Sequence, residues 1–276
     1  MIYYSVDNWT DAYSNTVHIA GGDRWPEMWT RLAAAYRARA LKLGKAELGI
    51  RYGTSERERF DLFMPRDEPK GLVVFVHGGY WSETDNSYWS HLASGSVESG
   101  YAVAVPGYSP CPTVRISQIT AQIARAVNRA SELVLGPIHL VGHSAGGQLV
   151  TRMLTLSSPL YDEVAARIVN TVSISGVHDL RPLMKTEVNH VLQIDAYEAA
   201  EESPVLATPR AGTRILCWVG AAERAEFRRQ NSLLANIWAG LGAETGSYEE
   251  PDRHHFDVLE GLRYPQHPLT QALLRI

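Results

Sequence analysis

The stretch Ile138-His139-Leu140-Val141-Gly142-His143-Ser144-Ala145-Gly146 decides the fold of this chain. Its first four residues form a short, largely apolar run that is typical of a strand, and a helical pattern extends from about Ser144 to Leu156. Between the two stands the pattern Gly-x-Ser-x-Gly, so the strand must turn into a helix within very few residues. We expect this bend to strain the backbone of Ser144 and to lift its hydroxyl above the sheet, at a helix N-terminus that favours negative charge. The alternative is an ordinary N-cap serine in a glycine-rich turn.

Short apolar runs and helical patterns alternate along the rest of the chain. Strands are predicted at 72–76, 101–105, 171–175, 214–219 and 245–248. Helices are predicted at about 87–99, 116–135 and 227–241. Such alternation indicates βαβ units and a mainly parallel sheet with helices on both faces. Residues 59–64 instead alternate in polarity and stop at Pro65, which predicts a half-buried antiparallel edge strand.

We predict a single α/β domain over residues 1–276, although this length also suits two small domains. Two segments depart from the alternation of strands and helices. Residues 1–45 are rich in aromatic side chains and then helical, with a stop at Gly44. Residues 179–209 form an insertion that is longer than an ordinary connection. We interpret this insertion as a small cap over a site, the alternative being a surface excursion that only covers the edge of the sheet.

Composition narrows the class of protein. The formal net charge of −4 and the scattered Lys and Arg residues predict no nucleic-acid partner and no attraction to an anionic membrane. Residues 1–7 lack the basic and apolar regions of a signal peptide, and no apolar run approaches the ~20 residues of a membrane span. Only two cysteines occur, Cys111 and Cys217, and Cys217 stands in an apolar run that is expected to be buried. The sequence therefore favours a cytoplasmic protein that acts on a small molecule, and it leaves a homodimer open.

A second motif, His77-Gly78-Gly79-Tyr80-Trp81, directly follows the predicted strand 72–76. A glycine pair lets the backbone bend until its N–H groups point at a substrate carbonyl oxygen. We expect the N–H groups of Gly79, Tyr80 and Ala145 to form an oxyanion hole. The aromatic side chains of Tyr80 and Trp81 are candidates for stacking on a substrate's leaving group, or else for packing the cap.

A serine nucleophile needs a base and an acid, which follow it on this fold in the order Ser, acid, His. Among ten histidines, His255 is our choice of base over its neighbour His254 and over His267. The acid is Glu223, with Asp179 as the alternative, because each follows the end of a predicted strand. His77 and His143 are expected to brace their loops by hydrogen bonding. The adjacent histidines 254 and 255 lack metal-ligand spacing, and we expect neither a metal nor an organic cofactor.

Together these motifs resemble the arylformamidase (kynurenine formamidase) branch of the α/β-hydrolases. The resemblance runs in order through nearly the whole chain, and its further segments are 12–15, 60–63, 175–183, 202–204, 219–223 with Phe227 and Gln230, and 255–256. It implies the α/β-hydrolase fold and hydrolysis of N-formyl-L-kynurenine to formate and kynurenine, with Ser144, His255 and an acid as catalytic triad. One residue departs from many α/β-hydrolases, since Glu223 stands where they have Asp.

Three functions remain open from the sequence. The first is an arylformamidase, and the second is a small-acyl carboxylesterase with the same catalytic groups. The third is a non-catalytic binding protein on the same fold, against which the intact set of serine, histidine and acid argues.

Overall fold

The structure is a computed structural model that describes residues 5–276, so the first four residues of the predicted N-terminal segment lie outside it. Eight strands form one sheet in the order β1-β2-β4-β3-β5-β6-β7-β8. They are β1 (Ala46–Arg51), β2 (Arg59–Phe63), β3 (Leu72–Val76), β4 (Ala102–Pro106), β5 (Ile138–His143), β6 (Ile168–Ile174), β7 (Arg214–Gly220) and β8 (Glu244–Glu250). Strand β2 runs antiparallel to both of its neighbours, and the pairs from β4 through β3 to β8 are all parallel. The prediction of a mainly parallel α/β sheet is confirmed.

Helices cover both faces of the sheet. They are α1 (Trp9–Tyr13), α2 (Trp25–Lys42), α3 (Ser94–Glu98), α4 (Ile116–Leu133), α5 (Ala145–Arg152), α6 (Asp162–Ala165), α7 (Asn189–Leu192), α8 (Ala196–Glu201), α9 (Ala225–Gly240) and α10 (Pro268–Leu274). Every residue of β3, β4 and β5 is buried, and apolar side chains form one core on each face of the sheet. Burial on both faces explains why these strands read as continuous apolar runs.

Two predictions about the first half of the chain are wrong. Strand β2 is not an edge, because β1 pairs outside it with a register shift between Glu47 and Ile50. Gly49 in that shift has φ 72°, so β1 has no regular alternation to read. The helix expected over 87–99 is broken into two 3₁₀ turns and the five-residue α3. A Cβ on Gly95 would lie 2.4 Å from the Leu262 carbonyl oxygen, so tight packing governs this segment.

The segment 179–209 contains short helical pieces rather than a single element, including α7 and α8. It is fastened to the body of the protein by polar contacts. Arg115, the residue before α4, donates to Glu198 (Nε to Oε2, 3.0 Å), and Thr120 within α4 donates to the buried Glu202 (Oγ1 to Oε2, 2.6 Å). The segment therefore packs along α4 and α5, and a capping role for it stays a prediction.

Within residues 5–276, none of the helices combines the length and the hydropathy that crossing a bilayer requires. Cys111 and Cys217 are both buried and free, as expected for Cys217 from its apolar neighbours.

Candidate active site

Ser144 occupies the bend between β5 and α5. Its backbone has φ 55° and ψ −116°, a conformation that costs a non-glycine residue about 1–3 kcal/mol. The flanking glycines are required by contact, because a Cβ on Gly142 would lie 2.1 Å from the Gly146 carbonyl oxygen. A Cβ on Gly146 would lie 2.0 Å from the carbonyl oxygen of Val76, at the end of β3. Tight packing of the bend 142–146 against the end of β3 thus maintains the strained backbone of Ser144.

His255 and Glu223 meet beside this bend. Nδ1 of His255 lies 2.6 Å from Oε2 of Glu223, and both side chains are buried. The other carboxylate oxygen of Glu223 accepts from the Ser175 hydroxyl at 2.5 Å and from the Gly220 N–H at 2.8 Å. Because an ionised carboxylate only accepts, the proton of the neutral imidazole is held on Nδ1. Nε2 is therefore left as the basic nitrogen.

His255 and Ser144 are joined through His143, the residue before Ser144. Its Nε2 lies 2.9 Å from the His255 carbonyl oxygen, and the two imidazole centroids are 4.6 Å apart. Among residues 5–276, the Ser144 hydroxyl and Nε2 of His255 form no hydrogen bond, so the contact between Ser144 and His255 is not made in this structure. Such bonds are often long without a bound substrate and shorten in the reacting complex.

The rival residues from the sequence are engaged elsewhere. Asp179 makes a two-pronged ion pair with Arg181, at 2.8 and 2.9 Å. His254 accepts from the backbone N–H groups of Phe256 and Asp257, and His267 caps the N-terminus of α10. The structure thus brings Glu223, and not Asp179, against His255.

The loop after β3 passes next to Ser144. Its residues Gly79, Tyr80 and Trp81 have φ values of 101°, 48° and 54°, three consecutive left-handed residues. A Cβ on Gly78 would lie 3.0 Å from the Ser144 Cβ, so the loop packs directly on Ser144. Within the described part of the chain, the N–H groups of Gly79, Tyr80 and Ala145 donate no hydrogen bond to the protein. This arrangement leaves three donors near Ser144 that could bind an anionic oxygen.

The side chains of Tyr80 and Trp81 have partners within the protein. The Tyr80 hydroxyl donates to the carbonyl oxygen of Tyr13, and the side-chain amide of Asn15 approaches it at 3.5 Å. The Trp81 indole is 0% exposed and lies in the core. The expectation that Trp81 stacks on a substrate therefore needs correction for this structure, since neither face of its ring is open.

Residues 8–18, which we call the N-terminal strap, were not expected at the site. The Tyr13 hydroxyl donates to Glu226 at 2.7 Å, and its ring packs edge-on against Phe227 at 5.8 Å. Phe227 in turn lies 4.3 Å from the imidazole of His255, measured between ring centroids. The signals in the sequence were the aromatic character of the first 45 residues and the resemblance over residues 12–15. The strap thus packs against His255 through one intervening ring.

Three buried histidines near the site are held neutral. Burial lowers the pKa of His77 to about 4 and that of His178 to about 3. Burial lowers the pKa of His143 well below its ordinary value. His77 stacks flat on Tyr108 at 4.3 Å and His143 contacts the His255 loop, so both side chains pack between neighbouring loops.

These histidines predict acid sensitivity. Their pKa values are lower in the folded state than in the unfolded chain, so unfolding takes up protons as the pH falls below about 6.5. Each site should lower the free energy of unfolding by about 1.4 kcal/mol per pH unit below about pH 6. Urea unfolding of the wild type and of His178→Gln between pH 7.5 and 5 measures this. As the pH falls, His178→Gln should become more stable relative to the wild type. A stability difference that stays constant with pH would contradict the lowered pKa of His178.

Two further features bear on ligands. Within residues 5–276, no three His, Cys, Asp or Glu side chains are grouped so as to hold a metal ion. A groove of about 660 Å³ lies away from Ser144, along α2 and α3, with Tyr36, Arg39 and Val97 in its lining. Ser144, His255 and Glu223 therefore do not line this groove.

Comparison with known proteins agrees with this fold. The model of the "Alpha/beta hydrolase family" matches residues 73–272. A kynurenine formamidase from Danio rerio is 27% identical over 249 residues, which cover 86% of this chain and 84% of that protein. A kynurenine formamidase from Drosophila melanogaster is 28% identical and covers 76% of this chain and 75% of its own length.

Among solved structures, a protein from Silicibacter sp. TM1040 described as a candidate thioesterase is 44% identical, with a TM-score of 0.91. The match covers 96% of this chain and 98% of that one. Esterase B from Lactobacillus rhamnosis superposes with a TM-score of 0.64 at 15% identity, which speaks for the fold alone.

Proposed function

This chain belongs to the alpha/beta hydrolase family, and we propose that it is a serine hydrolase that cleaves a small amide or ester, with N-formyl-L-kynurenine as its substrate. The observation that carries the proposal is the contact of His255 with Glu223 next to the strained Ser144. That contact fixes the tautomer in which Nε2 can take a proton. The catalytic triad is then Ser144, His255 and Glu223.

The reaction has two halves. In the first, Nε2 of His255 takes the Ser144 proton while Oγ bonds to the formyl carbon, and the carbonyl oxygen becomes an anion facing the N–H groups of Gly79, Tyr80 and Ala145. The C–N bond then breaks as His255 gives its proton to the leaving amine. In the second half, His255 takes a proton from water, whose oxygen attacks the formyl ester on Ser144. Formate leaves, and Ser144 recovers its proton.

A small acyl group suits the site. Ser144 and His255 are each only 4% exposed, and the loop of Gly78 packs directly on the nucleophile. The formyl group is the smallest acyl group, and the kynurenine formamidases at 27–28% identity match most of this chain. These observations support a formamide as substrate.

The second candidate is hydrolysis of a small-acyl ester or thioester with the same groups. It is favoured by the higher identity, 44%, to the Silicibacter protein described as a candidate thioesterase. The leaving atom would be oxygen or sulfur instead of nitrogen, and His255 would have less need to protonate it.

A direct comparison of substrates separates these candidates. We expect kcat/KM for N-formyl-L-kynurenine to exceed that for p-nitrophenyl acetate and for an acetyl thioester by at least about tenfold. Release of formate and of the free aromatic amine reports the first reaction, and Ser144→Ala gives the background rate. Much faster turnover of the ester or thioester would reject the formamidase and leave the hydrolase. Failure of a fluorophosphonate probe to label Ser144 would favour a non-catalytic binding protein.

We also propose that the protein works in a reducing compartment such as the cytoplasm. Two buried, free cysteines in a chain of this length support that location.

A further inference from the structure

Gln148 lies one helical turn after Ser144 on α5 and is 0% exposed. Its side-chain oxygen accepts from the indole N–H of Trp81 at 3.0 Å. Its side-chain nitrogen donates to the backbone carbonyl oxygen of Glu202 at 2.9 Å. One amide therefore joins the helix of the nucleophile, the loop of the proposed oxyanion donors and the end of the segment 179–209.

The Trp81 end of this link adjoins the strained loop. Trp81 directly follows Gly79 and Tyr80, and all three residues have left-handed backbones. Such a conformation persists only where the surroundings over-determine it. The Trp81 side chain is fully buried, and its single polar atom has Gln148 as partner. The bond to Gln148 is thus a side-chain constraint that runs directly from this loop to the nucleophile's own helix.

Glu202, at the other end of the Gln148 link, is held by an ion pair. Its carboxylate pairs with Arg152 at 3.2 Å and accepts from Thr120 at 2.6 Å, and all three side chains are buried. Glu202 presents only acceptors to Gln148, so the amide nitrogen must face Glu202 and the amide oxygen must face Trp81. The orientation of Gln148 is thereby fixed from the far side.

We propose that Gln148 is a positioning residue for the reaction: it holds Trp81, and through Trp81 the N–H groups of Gly79 and Tyr80, at the distance from Ser144 that the anionic oxygen requires. This inference rests on the proposed serine hydrolase function. It assigns Gln148 no contact with substrate. Without this hydrogen bond, the loop keeps its place in the fold, but the N–H groups of Gly79 and Tyr80 are no longer held at that distance from Ser144.

Gln148→Met tests the link, because methionine has a similar length and forms neither hydrogen bond. We expect kcat for p-nitrophenyl acetate to fall about 10- to 100-fold, because misplacing a donor costs part of the roughly 100- to 1,000-fold effect of removing one. KM should stay within about threefold, because the lost interaction is made in the transition state. An unchanged kcat in a folded Gln148→Met would overturn the proposal.

Trp238→Phe is the matched control. It removes another buried hydrogen bond to the segment 179–209, from the Trp238 indole to the carbonyl oxygen of Pro204 at 3.0 Å, and no bond to Gln148, Glu202 or Trp81. It should lower the thermal midpoint and leave kcat within about twofold of the wild type. If Trp238→Phe lowers kcat as much as Gln148→Met does, the effect is general destabilisation and the proposal fails.

Trp81→Phe tests the same bond from its other end, by itself if Gln148→Met does not fold and in a double-mutant cycle if it does, and an unchanged kcat in folded Trp81→Phe would overturn the proposal. Trp81→Phe should lower kcat by itself, and the double variant Trp81→Phe/Gln148→Met should be no slower than the slower single variant. If the two losses of kcat instead multiplied in the double variant, the two residues would have independent roles and the proposal would be overturned. The wild type separates this inference from the proposed function, since a wild type that neither hydrolyses the ester nor reacts with a fluorophosphonate rejects the hydrolase itself.

Discussion

Ser144→Ala should lower kcat by about 10⁴- to 10⁶-fold, whichever amide or ester is the substrate. In the proposed mechanism the Ser144 hydroxyl forms the acyl intermediate, and alanine leaves the surrounding donors in place but without a nucleophile. The free energy of unfolding should change by less than about 0.5 kcal/mol, because the hydroxyl has no hydrogen-bond partner among residues 5–276 to lose. Single-turnover kinetics and urea unfolding measure the two effects.

Ser90→Ala is the control for this variant. Ser90 is also a buried serine whose hydroxyl has no partner within the described residues, but it lies in a 3₁₀ turn before α3. It should retain wild-type kcat and wild-type labelling by a fluorophosphonate probe. Residual activity of Ser144→Ala above about 1% of wild type, free of contaminating enzyme, would exclude Ser144 as the nucleophile.

Glu223→Gln should lower kcat by about 10³- to 10⁴-fold with little loss of fold. One carboxylate oxygen of Glu223 accepts from both Ser175 and Gly220, so in the variant the amide oxygen takes that side. The amide NH₂ then faces Nδ1 of His255, which must become an acceptor. The imidazole proton moves to Nε2, and the base can no longer take a proton from Ser144.

Asp179→Asn supplies the comparison. Asp179 is bound to Arg181, so its loss should change stability more than kcat, which we expect to stay within about threefold of the wild type. A greater loss of kcat in Asp179→Asn than in Glu223→Gln would show that the acid has been assigned to the wrong strand end.

The central strands could be predicted because their burial pattern is local. Residues 72–76 form β3 as expected, since a strand covered on both faces must be apolar at every position. Strand β1 could not be predicted in this way. It holds Glu47, Gly49 and Arg51, is mostly only half-buried, and owes its place to pairing with β2 across a shifted register.

Within the candidate site, too, local motifs could be predicted from the sequence and long-range contacts could not. The bend at Ser144 and the glycine turn after β3 are written in a few consecutive residues, so their positions follow from the sequence. The contacts that surround them do not. Tyr13 and Glu226 are 213 positions apart, and Trp81 and Gln148 are 67 apart, so no local pattern describes either bond. An indole beside a glycine turn was as compatible with a substrate platform as with a buried anchor, and only the packing decides for the anchor.

The order of the strands has a practical consequence. Ser144 follows β5, whereas Glu223 and His255 follow β7 and β8, and between the two groups the chain turns at Leu156 and Tyr161, which are 64% and 59% exposed. Under the proposed mechanism, a polypeptide cut at that turn gives one fragment with Ser144 and another with Glu223 and His255, and we expect neither fragment to be active by itself. Hydrolysis would then report the reunion of the halves, which makes this scaffold suited to sensing whether two fused partners meet.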